Sequence, residues 1–269
     1  MQHNRVKAAL RERRAVIGPI VMEARSVGMV KVMALAGYDF LFLDTEHAML
    51  DVGIITDLVQ MSLVCDICPL VRVTDLSYPL VARALDAGAQ GVIIPRVETR
   101  EQAELAVSFA KYPPLGRRGA GGDARYGYQR RDAKTAIEEA NAESMVIVQI
   151  ETRLGVEHLD EIAAVPGLDV ICLGPLDLSI SLGVPGQFSH PTFLATAERI
   201  ATVCEHHGIA CGFVDRDANN FRRWYEMGMR FLVCSSDLNI LVQGATRDVA
   251  TVRALIQLEL NGTPPTEAR

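Results

Sequence analysis

Eight short apolar segments, separated by segments of helical pattern, constrain the fold of this chain more than any other feature. They are apolar and rich in β-branched residues, as strands buried on both faces are. The predicted strands occupy residues 15–22, 40–44, 69–73, 91–95, 145–150, 170–173, 210–214 and 231–235. Eight such units predict an α/β fold, a (β/α)₈ TIM barrel. We expect one domain over residues 1–260 and a flexible polar tail over 261–269.

Helical patterns fill the intervals between these strands. We predict helices at residues 5–13, 28–36, 54–64, 79–87, 101–111, 133–142, 155–164, 191–207, 218–227 and 238–260. Four of them are followed by Gly37, Gly88, Gly208 or Gly228. A glycine just after the last turn commonly ends a helix in the left-handed conformation, so these four boundaries are the most sharply predicted.

An open doubly wound sheet is the alternative arrangement for alternating strands and helices. It usually carries a Gly-rich turn after the first strand, and the turn here reads VMEARSVG. The Gly- and Arg-rich loop at 112–131 lacks the strand–loop–helix arrangement with Lys and Ser or Thr that binds nucleotide phosphates. A lid over the barrel, or an edge that reaches a neighbouring subunit, fits this loop better.

The charge and hydropathy of the chain exclude two classes of partner. The formal net charge is −6 and the pI is near 5.6, which argues against a nucleic-acid-binding surface. No run approaches the roughly 18 consecutive apolar residues of a membrane span. The N-terminal residues MQHNRVKAALRERRAV lack the apolar core of a signal peptide, so we expect a cytoplasmic protein.

The six cysteines do not predict a metal or redox site. Cys65 and Cys68 form a lone C-x-x-C, and a zinc site would require a second pair or a His pair at matching spacing. Cys172 and Cys234 lie inside predicted strands, where buried thiols are ordinary packing residues.

Residues 145–182 are the stretch around which the candidate chemistry is organised. They read as a strand, a helix and a second strand, a unit whose parallel strands end at the same edge of the sheet. Glu151 follows the first strand and Asp177 comes just after the second. Two neighbouring carboxylates favour a divalent cation such as Mg²⁺ or Mn²⁺. The alternative is that both acids only cap helices.

Other strand ends carry polar residues toward the same end of the barrel. The second strand offers Asp44, Glu46 and His47, the third Arg72 and the fifth Gln149. Each of these taken alone is more often a structural side chain. Their convergence with the two acids predicts a metal-dependent enzyme site.

This set suits a reaction that makes or breaks a carbon–carbon bond next to a ketone. A metal held by Glu151 and Asp177 would act as a Lewis acid on a 2-oxo acid and stabilise its enolate. Arg72 would hydrogen-bond the same developing oxyanion. His47, backed by a carboxylate such as Asp44, would move the proton. No lysine lies in predicted strands three to eight, which argues against Schiff-base aldolase chemistry.

Longer motifs lie between residues 44 and 183. They are DTEHAMLD at 44–51, PLVRV at 69–73, DAGAQGVIIPRVETREQAE at 86–104, YPPLGRRGAG at 112–121, VQIETRLGVEHLDEIAAVPGLD at 148–169 and LGPLDLSISLG at 173–183. At these residues the chain resembles the HpcH/HpaI aldolase/citrate lyase family, in particular its metal-dependent (class II) 2-oxo-acid aldolases. The resemblance implies cleavage of a 4-hydroxy-2-oxo acid, either a 2-keto-3-deoxy sugar acid or a 4-hydroxy-2-oxo-dioate, to pyruvate and an aldehyde.

The resemblance also implies roles for individual residues. Glu151 and Asp177 match metal ligands for Mg²⁺, Mn²⁺ or Co²⁺, and Arg72 matches the arginine that stabilises the pyruvate enolate. The catalytic histidine is matched by His47. Asp44 and Asp86 match acids that support this histidine, and Asp86 could do so across a subunit interface. The residues that match the pyruvate site are Gln149, Gly174, Leu176 and Asp177.

A barrel of the phosphoenolpyruvate/pyruvate type and a homohexamer built as a trimer of dimers are also implied. The C-terminal helix would be exchanged between neighbouring subunits. No nucleic-acid or membrane partner is expected.

The segments Pro19–Ile20 and 212–220 depart from the family pattern, and both lie at predicted strand ends, so they leave the aldehyde open. Arg117, Arg118 and Arg125 fit either a distal substrate carboxylate or salt bridges at an interface. An oxaloacetate decarboxylase or a CoA-thioester lyase of the same superfamily is an alternative enzyme. A non-catalytic binding barrel is a more remote one.

Overall fold

The computed structural model of this chain describes residues 2–122 and 124–259. Within them, eight parallel strands close into a barrel in chain order. The strands are β1 Val16–Val21, β2 Phe40–Asp44, β3 Cys68–Arg72, β4 Gly91–Ile94, β5 Met145–Ile150, β6 Val170–Leu173, β7 Ala210–Asp215 and β8 Phe231–Ser236. The predicted (β/α)₈ TIM barrel is therefore confirmed.

Helices connect the strands and cover the outside of the barrel. They are α1 Arg5–Arg11, α2 Val27–Leu35, α3 Val52–Val64, α4 Tyr78–Asp86, α5 Arg100–Ala110, α6 Ala133–Glu143, α7 Arg153–Glu157, α8 Leu159–Ala163, α9 Pro175–Ser181, α10 Pro191–His207, α11 Phe221–Glu226 and α12 Asp237–Glu259. The four glycines predicted to end helices all have positive φ angles, between 70° and 106°.

Three helical details differ from the sequence prediction. The helix expected at 218–227 begins with a 3₁₀ turn at Ala218–Asn220, and α11 follows it. The helix expected at 155–164 is two short helices, α7 and α8, which meet at His158. The short helix α9 was not predicted, because it begins at Pro175, only two residues after β6 ends. This leaves no loop in the sequence to separate the strand from the helix.

Side chains that point alternately to the two faces of each strand divide the hydrophobic core into two parts. On β2, Phe40 and Phe42 pack inside the barrel, whereas Leu41 and Leu43 pack between the strands and the outer helices. Successive side chains of a strand point to opposite faces. The last residue of β2, Asp44, therefore belongs to the inward row, and it carries that row into the C-terminal end of the barrel.

The seam between β1 and β8 closes the barrel around an aromatic pair. Val16 lies opposite Phe231, and the register shifts between Gly18 and Ile20. The rings of Phe40 and Phe231 stack with their centroids 4.4 Å apart. A Cβ atom on Gly18 would lie 2.3 Å from the carbonyl oxygen of Phe40. Glycine at this position therefore provides the space that the aromatic filling of the barrel needs.

Helix α1 covers the N-terminal end of the barrel. Its apolar side chains join the interior cluster with the first residues of several strands (Val6, Ala9 and Leu10). The buried Lys7 Nζ lies 3.0 Å from Asp169 Oδ1 and donates to the carbonyl oxygen of Ser144 at 2.9 Å. The polar residues predicted at the strand ends lie at the opposite, C-terminal end of the barrel.

A single carboxylate joins the two ends of the barrel sequence. Asp237, at the start of α12, accepts hydrogen bonds from the backbone N–H groups of Met22, Glu23 and Ala24 at 3.1, 2.9 and 2.6 Å. These three residues follow β1 at the C-terminal end of the barrel. The loop after β1 is thus held by the first residue of the last helix.

The basic loop at 112–131 packs along the outer helices. Arg118 Nη2 donates to Asp86 Oδ1 at 2.6 Å, and the N–H of Gly119 donates to Tyr78 Oη at 2.9 Å. Asp86 and Tyr78 are the last and first residues of α4. These contacts favour the predicted alternative of an edge over that of a lid.

In the described residues, no helix is both long enough and apolar enough to cross a membrane. All six cysteines are free thiols. Residue 260 and the predicted tail at 261–269 lie outside the described part of the chain.

Candidate active site

Neighbouring strands bring an acid and an arginine together at the C-terminal end of the barrel. Asp44 and Arg72 are direct partners in the register of β2 with β3. Arg72 Nε donates to Asp44 Oδ1 at 2.9 Å, and Nη2 donates to Oδ2 at 2.6 Å. Both residues are buried. This two-point contact fixes the plane of the guanidinium group.

The third nitrogen of Arg72 faces the rest of the site. Nη1 donates to Gln149 Oε1 at 3.3 Å and lies 3.1 Å from Glu46 Oε2. Burial alone lowers the pKa of a guanidinium, but the hydrogen bond and charge of Asp44 offset this, with further help from Glu46 and Glu151. The pKa of Arg72 is raised as a result, so the group stays charged.

Glu46, to which the sequence analysis assigned no role, occupies a central position in the site. Its carboxylate lies near the side chains of Arg72, Arg96 and His47: Oε2 is 3.8 Å from His47 Nε2, and Oε1 is 3.7 Å from Arg96 Nη2. The shortest separation is that to Arg72. Within the described residues, the buried Oε2 nevertheless accepts no hydrogen bond. Glu46 therefore contributes charge to the site and keeps one acceptor atom available.

His47 lies at the rim of the site. Its side chain is 48 % exposed, and its backbone N–H donates weakly to Asp44 Oδ1 at 3.4 Å. The sequence interpretation put a carboxylate such as Asp44 behind the imidazole. In the structure Asp44 binds Arg72 instead, and the acid nearest to the imidazole is Glu46.

Glu151 is buried directly after β5. Its Oε2 accepts a hydrogen bond from the backbone N–H of Arg96 at 3.1 Å. Burial is the main cause that raises its pKa to about 7, and the charges of Glu46 and Asp177 act in the same direction. Arg72 and the Arg96 N–H oppose them only partly. In the absence of a cation, this carboxyl group is therefore protonated in part at neutral pH.

Gly174 makes room for Glu151. A Cβ atom at this position would lie 2.1 Å from Glu151 Oε1. The N–H of Gly174 donates to the carbonyl oxygen of Ile150 at 3.3 Å, so it continues the pairing between β5 and β6. Because Gly174 has no side chain, its backbone can therefore lie close to the Glu151 carboxylate.

Leu176 and Asp177 lie in the first turn of α9. Leu176 is exposed and Asp177 is half-buried. The alternative in which Glu151 and Asp177 cap helices does not hold, because the N-caps of α7 and α9 are Thr152 and Gly174.

The donor set of this site fits a hard divalent cation. The candidate ligands are carboxylates, the ligand type that Mg²⁺ and Mn²⁺ prefer. Burial first and the negative charges of Glu46 and Asp177 second raise the pKa of Glu151, and a cation would counter the repulsion between these acids. Among the residues that the structure describes, no three His, Cys, Asp or Glu side chains form a complete coordination set. The remaining ligands of a cation held by Glu151 and Asp177 would come from substrate or water.

Asp86 lies away from these residues. It ends α4 and pairs with Arg118 at 2.6 Å and Arg125 at 3.5 Å. The described contacts of Asp86 include none with His47 of the same chain. Arg118 and Arg125 are likewise engaged with the outer helices, and not with the residues around Glu151.

Arg96 is a residue of the site that sequence reasoning missed. It lies two residues after the end of β4 and has a φ of 52°, which is rare for a residue other than glycine. Its backbone binds Glu151 and its guanidinium approaches Glu46. The hint in the sequence is that Arg96 directly follows the predicted strand at 91–95.

Comparison with known proteins identifies the relatives of this chain. A model of the HpcH/HpaI aldolase/citrate lyase family matches residues 22–244. The hydroxypyruvate/pyruvate aldolase of Paraburkholderia phytofirmans is 33% identical over 260 residues, which cover 93% of this chain and 98% of the relative. The 5-keto-4-deoxy-D-glucarate aldolase of Salmonella paratyphi C is 36% identical over 235 residues, with 87% and 91% covered.

A solved structure shares the whole architecture. The crystal structure of an HpcH/HpaI aldolase from Desulfitobacterium hafniense matches with a TM-score of 0.89 at 33% sequence identity. The match covers 96% of this chain and 98% of that chain.

Proposed function

This chain belongs to the HpcH/HpaI aldolase/citrate lyase family and is an aldolase-type carbon–carbon lyase, and from that premise we propose its reaction. The reaction is the reversible cleavage of a 4-hydroxy-2-oxo acid to pyruvate and an aldehyde. The substrate is a 2-keto-3-deoxy sugar acid or a 4-hydroxy-2-oxo-dioate. The observation that carries the proposal is the guanidinium of Arg72, held in one plane by Asp44 beside Gln149.

Cleavage requires that negative charge develop on the oxygen at C2. A base takes the proton of the 4-hydroxyl group, the C3–C4 bond breaks, and C4 leaves as the aldehyde. The electron pair of that bond passes to the C2 carbonyl as an enolate, and protonation at C3 then yields pyruvate. A pre-oriented cationic donor favours this step because it stabilises charge that exists only during the reaction.

In this proposal Arg72 donates to the enolate oxygen through Nη1, the nitrogen that Asp44 leaves available. His47 moves the proton, and its position at the rim gives its exposed imidazole access to the 4-hydroxyl group. Glu46, 3.8 Å from the ring, stabilises the imidazolium that forms.

We propose that Glu151 and Asp177 hold a divalent cation, Mg²⁺, Mn²⁺ or Co²⁺. When bound, the cation supplies Lewis-acid stabilisation of the negative charge at C2. Gln149, Gly174, Leu176 and Asp177 are proposed to bind the pyruvyl half. This assignment rests on the family resemblance and on the position of these residues around Glu151.

We also propose assembly into a homohexamer, a trimer of dimers with α12 exchanged between neighbours. This rests on the resemblance and on an apolar stripe along α12, defined by its exposed side chains (Leu238, Leu241, Val242, Val249, Val252, Leu255 and Ile256). Exposed apolar surface of this kind marks a protein interface. In such an assembly Asp86 would support the His47 of a neighbour.

The test is release of pyruvate from 4-hydroxy-2-oxo acids by metal-depleted protein reloaded with each of the three cations. We expect Arg72→Ala to lower kcat by about 10²–10³ while the protein still binds Mn²⁺. We expect Asp177→Ala to abolish Mn²⁺ binding. Folded protein that releases no pyruvate with any cation would refute the proposal.

The same assay separates the nearest alternative. Oxaloacetate decarboxylation passes through the same enolate, so it calls on the same Arg72. Faster turnover of oxaloacetate than of every 4-hydroxy-2-oxo acid would make the protein a decarboxylase instead.

A further inference from the structure

Arg96 has an unusual backbone for a residue with a long side chain. Its φ of 52° lies in the left-handed region, which costs a non-glycine residue free energy. This conformation turns its N–H toward Glu151 Oε2, at 3.1 Å. It also directs the side chain across the C-terminal end of the barrel toward Glu46, whose Oε1 lies 3.7 Å from Nη2. The strained residue thus serves the site at both its backbone and its side chain.

The guanidinium of Arg96 is available for a ligand. Its side chain is 60 % exposed, and the ion pair with Glu46 is long for a salt bridge. A pair of this length, with one partner in solvent, holds the guanidinium only weakly. Glu46 also has a closer cationic partner, Arg72 at 3.1 Å, so it does not depend on Arg96 for compensation of its charge.

A cavity lies beside this guanidinium. It has a volume of about 390 Å³ and is lined by Arg96 together with Glu46, Thr74, Leu76 and Gln102. Asp75 also lines it, but the Asp75 carboxylate accepts a hydrogen bond from the N–H of Leu76 at 2.7 Å. In the described part of this lining, Arg96 is the one cationic side chain. The volume is sufficient for the aldehyde half of a small substrate.

We propose that Arg96 determines specificity by binding a carboxylate on the aldehyde half of the substrate. This inference rests on the proposed aldolase function, because it assumes that Arg72 and Glu151 hold the pyruvyl half. The guanidinium of Arg96 approaches Glu46, which lies 3.8 Å from the imidazole of His47, the residue proposed to take the proton of the 4-hydroxyl group. A guanidinium matches a carboxylate with two parallel N–H donors. The enzyme therefore prefers a dicarboxylic 2-oxo acid to one whose aldehyde half is neutral.

The test compares two substrates that differ only in this group. 4-Hydroxy-2-oxoglutarate releases an aldehyde with a carboxylate, and 4-hydroxy-2-oxopentanoate releases a neutral one. The readout is the ratio of kcat/KM for the first substrate to that for the second. It is measured for the wild type, Arg96→Gln, Arg96→Lys and a matched control, Arg100→Gln. Arg100 is an exposed arginine on α5 that pairs with Glu104 outside the site.

We expect the ratio to exceed one in the wild type and to fall about ten- to one-hundred-fold in Arg96→Gln, since one charge-assisted contact is lost. Arg96→Lys should recover part of the ratio because it keeps the charge. Arg100→Gln should leave the ratio unchanged.

Three results would overturn the inference. The first is a wild-type ratio of one or below, and the second is an Arg96→Gln variant that slows both substrates equally. In both cases pyruvate is still released, so the aldolase function stands and only the role of Arg96 fails. The third is a wild type that cleaves neither substrate nor any other 4-hydroxy-2-oxo acid, in which case both proposals fail.

Discussion

Arg72 and Asp44 form a buried two-point ion pair, with Nε–Oδ1 at 2.9 Å and Nη2–Oδ2 at 2.6 Å, between neighbouring strands at the C-terminal end of the barrel. Each partner depends on the other. Without Asp44, the guanidinium is free to rotate and its charge is less fully compensated. Without Arg72, a buried carboxylate has lost its main cationic partner.

Replacing Asp44 with Asn should impair both stability and activity. We expect the free energy of unfolding to fall by about 3 kcal/mol, because one member of a buried charge pair is neutralised. The kcat for pyruvate release should fall at least about tenfold as Arg72 loses its fixed orientation. Urea unfolding and the pyruvate assay measure these two effects.

A surface pair provides the control. Glu104→Gln breaks the exposed pair of Glu104 with Arg100 on α5 and should cost less than about 1 kcal/mol. Equal losses in the two variants would contradict the special role of the buried pair.

Replacing Gly174 with Ala should displace Glu151. The added methyl group would lie 2.1 Å from Glu151 Oε1, a distance at which something must move. We expect Mn²⁺ affinity, measured by calorimetry or electron paramagnetic resonance, to fall about ten- to one-hundred-fold. Gly28→Ala is the matched control, since the exposed Gly28 would place its methyl group only near the Ser26 hydroxyl. Unchanged affinity in Gly174→Ala would argue against Glu151 as a ligand.

Replacing Glu151 with Gln should stabilise the metal-free protein above neutral pH. The pKa of Glu151 is raised from 4.5 to about 7, so the folded state retains a proton that the unfolded state has lost. The contribution of Glu151 to the free energy of unfolding is therefore fully present below pH 4.5 and is lost as the pH rises through 7. Gln stays neutral and avoids this loss of stability. The loss is on the order of 3 kcal/mol, since one pKa unit corresponds to about 1.4 kcal/mol.

Urea unfolding in the presence of a chelator, at pH 5.5 and at pH 8, measures this difference. The gain from Glu151→Gln should be larger at pH 8. A gain of the same size at both pH values would show that burial does not perturb this carboxyl group.

A charge placed on the apolar stripe of α12 should disrupt assembly. Leu241 is 64 % exposed in the single chain and lies in the stripe. Leu241→Asp would bury a carboxylate in the proposed interface, so we expect a smaller oligomer by light scattering. Gln243→Asp puts the same charge on the same helix outside the stripe and should leave the mass unchanged. A wild-type monomer would refute the assembly.

The barrel was predictable because its strands are short, apolar on both faces and regularly spaced. Arg72, Gln149 and Glu151 could be found for the same reason: each is a polar residue at the end of such a strand. Parallel strands end at one edge, so their last residues meet whatever the intervening loops contain.

Which residues of neighbouring strands lie opposite each other could not be predicted from the sequence. The sequence interpretation placed a carboxylate such as Asp44 behind His47. The register instead sets Asp44 opposite Arg72 and turns both inward. His47 lies beyond the end of the strand, where alternation no longer determines its direction.

Arg96 could not be found because its role depends on a left-handed backbone. Such a conformation arises from the surrounding structure, here from the acceptor on Glu151, and not from the residue type. Arg96 does follow a predicted strand directly, but nothing in the sequence shows that its backbone N–H reaches Glu151 or that its guanidinium approaches Glu46.

The contact of Asp237 with Met22, Glu23 and Ala24 has a consequence for the order of folding during synthesis. More than two hundred residues separate the two partners, and β1 also pairs with β8. The loop after β1 is among the first parts of the barrel to be translated, yet its hydrogen-bond acceptor is among the last. A nascent chain therefore cannot complete the C-terminal end of the barrel until α12 has begun to leave the ribosome.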